Sequence, residues 1–142
     1  MQKKIHLISL LIGGFFLLLD QILKYFFFHS HFSWYIFKPW IGLEYFENTG
    51  IAFSIPLPSS VVILFTPFLL MGILFLFFQK NTSQKKSLAL ALIFSGAISN
   101  FIDRIFFNFT IDYLRLFTSI FNIADVLIVV GAGILLLETR RK

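Results

Sequence analysis

Asp112 and Asp125 are the side chains in this sequence best placed to do chemistry. Asp125 heads an otherwise apolar run that reaches Leu137, and Asn122 stands three residues before it. An ionised group in apolar sequence of membrane-spanning length is costly unless it pairs, finds water or takes a proton. Asp112 lies thirteen residues earlier, in "FTIDYLRL". A reversal of chain direction between the two would let both carboxylates meet near the outer edge of a membrane. Asn122, one helical turn before Asp125, can donate an amide hydrogen bond to hold its side chain. Two carboxyls in contact cannot both ionise, so the pair shares a proton at neutral pH. Such a pair offers a base for water and an acid for a leaving amine, which is the chemistry of peptide hydrolysis. A solitary acid in a span would instead read as a proton relay or a packing feature, and the residues alone leave that open.

Other polar residues fall at chemically suggestive spacings. Asp20 and Lys24 are one helical turn apart, so they share a helix face. They form either an ion pair that snorkels toward the headgroups or a bundle-facing pair that orients something else. "NTGIAFS", residues 48–54, is either a surface turn or a backbone edge able to pair with an extended peptide. In "GAISNFIDR", residues 96–104, Gly96 and Ala97 permit close helix approach, and Asn100 and Asp103 share one face. Asp103 and Arg104 are adjacent and point apart, so each must find its own partner. His29 and His31 flank Ser30 without an apparent third ligand, so they read as interfacial histidines, and no metal or other cofactor is expected.

These groups need elements to carry them. The chain is 58% hydrophobic and 13% charged, with 21 Phe, a balance outside that of soluble domains. There is no cysteine, which excludes disulfides and thiolate chemistry. The net charge of +5 forms no basic face of the kind nucleic acid requires, so no nucleic-acid partner is expected. The basic residues cluster instead beside the ends of apolar runs: Lys3 and Lys4; Lys80, Lys85 and Lys86; Arg140, Arg141 and Lys142. Four runs approach the roughly 20 residues that a membrane helix needs, at about 5–28, 61–79, 88–107 and 120–137. The first starts like a signal peptide, but it continues through Asp20, Gln21 and Lys24 without a small-residue cleavage site, so it reads as a retained span. Placing all three basic clusters in the cytoplasm is the arrangement consistent with four crossings. Two segments then face outward: a long one, 29–60, and a short loop, 108–119. The long one carries breakers at Gly42, Gly50 and Pro56 with β-favouring residues between, and reads as short strands or a hairpin over about 40–57. Its two glycines and turn sequence suggest a mobile cover over the acids. Trp34, Tyr35 and Trp40 suit an interfacial aromatic belt.

Four stretches in order, "DQILK" (20–24), "NTGIAFS" (48–54), "GAISNFIDR" with the following "TID" (96–112) and "FNIAD" (121–125), resemble those of lipoprotein signal peptidase, signal peptidase II. The resemblance spans the chain and agrees in order and spacing. It implies an integral membrane protein with four transmembrane helices and a small periplasmic β-cradle. Its activity would be that of a bacterial inner-membrane aspartic endopeptidase, with both termini cytoplasmic and the site near the periplasmic face. It further implies removal of the signal peptide from a prolipoprotein, immediately before a diacylglyceryl-modified cysteine, by a monomer in contact with membrane lipid. Carried over by position, Asp112 and Asp125 match the catalytic dyad. Asp20, Lys24, Asn48, Gly50, Ala52, Asn100, Asp103, Arg104, Asn122 and Ala124 match supporting or substrate-binding positions. Ser95 and Ser99 stand where the family usually carries glycine, and Tyr113 where phenylalanine is more common. The segment between the two acids is also short.

The rival reading is a small proton-coupled transporter using the same acids. It requires a polar path to the cytoplasmic side. The inner halves of the spans offer almost nothing polar beyond Ser9 and Gln79.

Overall fold

The computed structural model describes residues 2–50 and 56–140. Its elements run α1 (Gln2–Ser30), β1 (Ser33–Phe37), β2 (Ile41–Asn48), α2 (Ser59–Phe77), α3 (Gln84–Phe107), β3 (Thr110–Leu116), β4 (Ser119–Phe121) and α4 (Ile123–Thr139). Three helices, α1, α2 and α3, are long and apolar enough to cross a membrane. Helices α1 and α2 wear their apolar surface outward. In α2 only Ile73 and Phe77 are buried, while Leu64, Phe65, Phe68, Leu69, Met71 and Phe75 are exposed. That surface is unfavourable in water and unremarkable in lipid.

Helix α3 is the hub. Its buried positions include Ser87, Ala89, Ala91, Ser95, Gly96, Ala97 and Ser99, small residues that let neighbouring backbones come close. A Cβ added at Gly131 would lie 2.6 Å from Ile93 Cγ1 and 2.7 Å from the Ala89 carbonyl oxygen. One added at Gly96 would collide with the Ala124 carbonyl. The α3–α4 contact therefore depends on two missing side chains. Ser83 caps the start of α3 by accepting from the Lys86 amide at 3.1 Å, and Asn108 ends it in the left-handed region at φ 64°. At the end of the bundle away from the strands, Ile73 and Phe77 of α2 meet Leu90 and Ala91 of α3.

The hydroxyls along α3 refine the expectation of an almost apolar inner half. Ser87 meets His6 at 3.0 Å, and Ser9 and Ser95 are buried nearby. This line holds no titratable group between His6 and Asp20 on α1 or between Lys86 and Asp103 on α3.

The strands form one antiparallel sheet in the order β1-β2-β3-β4, at the bundle end where α1 and α3 finish and α2 and α4 begin. Both outer segments contribute to it, which corrects two expectations. Residues 108–119 are mostly strand rather than loop: β3 pairs with β2 from Ile41↔Leu116 to Asn48↔Thr110. Ile120 and Phe121 belong to β4, opposite Arg115 and Leu114, so α4 begins three residues after the apolar run does. A short apolar stretch reads the same in a strand as in a helix, and only the Asn122 cap marks the change. The β-rich region also begins earlier than expected, at Ser33. Gly42 is no hinge. It lies inside β2, where an added Cβ would come 2.9 Å from the Tyr35 Cα.

Candidate active site

Asp112 is the third residue of β3 and is fully buried. Its Oδ1 accepts from Asn122 Nδ2 at 2.7 Å and its Oδ2 from Asn48 Nδ2 at 2.9 Å. Asn48 faces Thr110 across the β2–β3 ladder, which places its amide beside Asp112. Asp125 occupies the third position of α4 and is only half-buried. Its Oδ1 accepts from Asn100 Nδ2 at 2.8 Å, and its Oδ2 takes a longer bond, 3.4 Å, from the Asn122 backbone amide. The Asn122 side chain in turn accepts from the Asp125 amide at 2.9 Å. This reciprocal capping box starts α4 and fixes the carboxylate in one stroke. Asn122 thus touches both acids, but not as its spacing suggested: its side-chain amide donates to Asp112, and its backbone amide is what reaches the Asp125 carboxylate. Burial, with the Asp125 charge adding to it, pushes the Asp112 carboxyl up to about 7, against the hydrogen bonds of Asn48 and Asn122. A carboxyl half-protonated at neutral pH beside a second one can both give and accept a proton.

Behind the acids lies a charged cluster that does not snorkel. Lys24 Nζ is 3.0 Å from Asp20 and 2.8 Å from Asp103, and all three side chains are almost wholly shielded. The bundle-facing reading of Asp20 and Lys24 is the one observed. Desolvating these charges costs energy that must be met by pairing on every side. Ser99 donates to Asp20 at 2.6 Å, Tyr113 donates to its other oxygen at 2.7 Å, and Gln21 donates to Ser99 and Asp103 at 2.8 and 3.2 Å. Lys24 also donates to Asn100 Oδ1 at 2.9 Å, where Asn122 Nδ2 arrives at 3.1 Å. With its oxygen so occupied, Asn100 must turn its NH₂ toward Asp125. The buried lysine therefore sets the direction of the Asn100 amide.

Asp103 and Asn122 do one further job. Strand β4 pairs only with Leu114–Leu116, leaving part of β3 without a neighbour. There the Ile111 amide donates to Asp103 at 3.1 Å and the Ile111 carbonyl accepts from Asn122 at 3.2 Å. Two side chains complete the strand edge that holds Asp112.

Arg104 points the other way from Asp103, as adjacency demands. It donates to the Gly50 carbonyl and to Ser59 Oγ, the latter at 3.1 Å, while the Gly50 amide donates to Asn48 Oδ1 at 3.0 Å. Both flanks of residues 51–55 are thereby tied to the site; Ala52 itself lies outside the described residues. Ala124 is fully buried against Gly96 and supports α4 by packing rather than by lining a cavity. A groove of about 240 Å³ opens beside Asp125, with Asn48, Asn100, Arg104 and Thr110 at its polar end and Leu69, Phe101 and Ile128 along its apolar walls. His29 and His31 lie apart, against Tyr25 and Tyr45. Among the described residues no group of three or more His, Asp or Glu could hold a metal.

Gln21, Ser99 and Tyr113 were not singled out as site residues from the sequence. Ser99 carried a signal, because it lies one turn before Asp103 on the same face. Tyr113 carried none, because its partners come from α1 and α4.

A family profile described as signal peptidase (SPase) II matches residues 12–141. The chain belongs to the signal peptidase II family. It is 36% identical over 146 residues to a lipoprotein signal peptidase of Streptococcus pyogenes serotype M1, covering 96% of this chain and 93% of that one. It is likewise 36% identical over 117 residues to a lipoprotein signal peptidase of Chlorobium phaeobacteroides, covering 72% and 74%. A bacterial membrane enzyme solved by the in meso method superposes with a TM-score of 0.84 at 25% identity, over 94% of this chain and 87% of that one. Membership of the signal peptidase II family makes this chain a protease, and its apolar helices make it a membrane protein.

Proposed function

We propose that this protein is an aspartic endopeptidase that removes the signal peptide from lipid-modified prolipoproteins, cutting before the diacylglyceryl-cysteine, with Asp112 and Asp125 as its catalytic pair. The supporting observation is Asn122, which hydrogen-bonds both carboxylates while only Asp125 faces the groove. In this reading Asp125, as carboxylate, takes a proton from water as the water oxygen attacks the scissile carbonyl carbon. Asp112 gives its proton to the carbonyl oxygen once substrate displaces the Asn48 amide that lies between its Oδ2 and the groove, forming a neutral diol. Collapse of the diol breaks the C–N bond as Asp125 delivers its proton to the nitrogen, and a diol hydroxyl returns a proton to Asp112. The pair ends as it began. Asn48, Asn100 and Asn122 hold the acids in place, while Arg104 anchors Gly50 and Ser59 around them.

The proposed topology has four crossings, with both termini and the 80–86 loop in the cytoplasm and the sheet on the periplasmic side of the inner membrane. Helix α4 is the short one: its 17 residues rise about 26 Å, slightly less than a hydrocarbon core of roughly 30 Å. The protein is proposed to act as a monomer. The decisive experiment is cleavage of a lipidated prolipoprotein by the purified protein in detergent; an inactive but folded wild type would sink the reading. Orientation is tested by single cysteines, since the chain has none. Ser33→Cys should react with an impermeant thiol reagent in intact cells and Gln84→Cys should not; the reverse pattern would invert the topology.

A further inference from the structure

Tyr113 follows Asp112 in β3, so its side chain leaves the opposite face of the strand. It is 1% exposed, and its ring stacks on Phe27 with centroids 5.1 Å apart and planes within 4°. Stacking would be served as well by phenylalanine. The oxygen must be explained separately, and it has two partners. It donates to Asp20 Oδ1 at 2.7 Å and accepts from the Ile123 backbone amide at 3.2 Å.

Ile123 is the first residue of α4, and its N–H is one of the four that a helix start cannot satisfy internally. Asn122 serves the Asp125 amide and leaves this one to the phenol. Asp20 fixes which way the hydroxyl points. As a carboxylate held by Lys24 and Ser99, it can only accept, so the phenol proton goes to Asp20 and a lone pair is left facing Ile123. Burial, reinforced by the charge of Asp20, holds the phenol pKa well above its ordinary value, so this donor persists at any working pH.

We propose that Tyr113 is a positioning residue that sets the spacing between the two catalytic carboxylates, its hydroxyl joining the strand that carries Asp112 to the first amide of the helix that carries Asp125. The phenol is a strut one residue from one acid and two residues from the other, independent of the Asn122 bridge. Phenylalanine at this position could make neither bond, and Ser99 holds the far oxygen of Asp20 in the same cluster. The proposal rests on Asp112 and Asp125 acting as a pair.

The test uses the full chain in detergent with a lipidated prolipoprotein substrate and compares Tyr113→Phe, Phe27→Leu and Asp112→Asn with wild type. Tyr113→Phe keeps the ring and removes only the oxygen. It should lower kcat about tenfold, because a small displacement of reacting groups is costly, while KM stays within about twofold. Phe27→Leu weakens the stack but spares the hydroxyl, and should lower the melting temperature while leaving kcat per folded molecule unchanged. A fully active Tyr113→Phe alongside an inactive Asp112→Asn would overturn the strut alone. An active Asp112→Asn would overturn the pair and the strut with it. A Tyr113→Phe whose lost activity only follows lost folded protein, as in the Phe27 control, would reduce the residue to core packing and overturn the proposal.

Discussion

Asp112 and Asp125 are the same chemical group held by the same kind of donor, the asparagine amide, yet their surroundings differ. Asp112 sits on a strand, sealed from solvent, with a donor on each oxygen. Asp125 sits in the first turn of a helix, half-buried beside a groove, with one good donor and one long one. Rigid enclosure suits a group that must keep a proton at neutral pH, and openness suits one that must meet water. In the proposed mechanism the difference in environment is what divides the labour between two identical side chains.

The most severe way to break this division is to remove either acid's proton chemistry. Asp112→Asn and Asp125→Asn should each reduce cleavage by at least about a thousandfold while the protein still inserts and folds. Near wild-type cleavage by either variant would end the assignment. Next come the donors. Asn122→Ala takes a donor from Asp112 and removes the side-chain cap that seats Asp125 at the start of α4, and should cost about a hundredfold in kcat. Asn48→Ala touches only Asp112, and Asn100→Ala only Asp125; each should cost about tenfold. Equal effects from all three would mean that the two acids are not coupled through Asn122.

The pH dependence sharpens the comparison further. The folded protein holds the Asp112 proton up to about 7, against an ordinary value of 3.8. A raised carboxyl pKa favours the folded state while the group is protonated. This contribution is complete below about pH 4 and is lost as pH rises through about 7. Wild-type melting temperature should therefore fall over that interval more steeply than that of Asp112→Asn, measured by thermal melts in detergent. Turnover should decline above about pH 7 as the shared proton leaves. Parallel melting curves for the two proteins would place the proton elsewhere. The smallest expected effect is that of a strong chelator on cleavage: none, given the donor set described. Loss of activity restored by zinc would bring His29 and His31 back into consideration.

The first three helices were legible because each rests on local sequence, an apolar run with basic residues beside it. The start of α4 was not, because the apolar run opens three residues before the Asn122 cap. What escaped depends on pairing across the chain. Residues 110–116 read as loop because a strand shows itself only through its partner, and that partner is β2, more than sixty residues earlier. Asp20 and Lys24 looked as though they could reach the headgroups because nothing local tells that Asp103, Ser99 and Tyr113 wait on other elements. The same non-locality hid Gln21, whose contacts lie on α3.

The completed edge of β3 has a bearing on traffic. An unpaired strand edge is a rail along which an extended peptide can align by lengthening the sheet. Beside Asp112 that rail is already taken by the side chains of Asp103 and Asn122, which hold both backbone groups of Ile111. A polypeptide bound for the acids finds that flank shut. The approach left open among the described residues is the groove walled by α2, α3 and α4, whose apolar sides belong to the membrane. Under the proposed function a substrate with fatty chains would enter by that corridor, and the two hydrogen bonds at the sheet edge would keep it from docking along β3 instead.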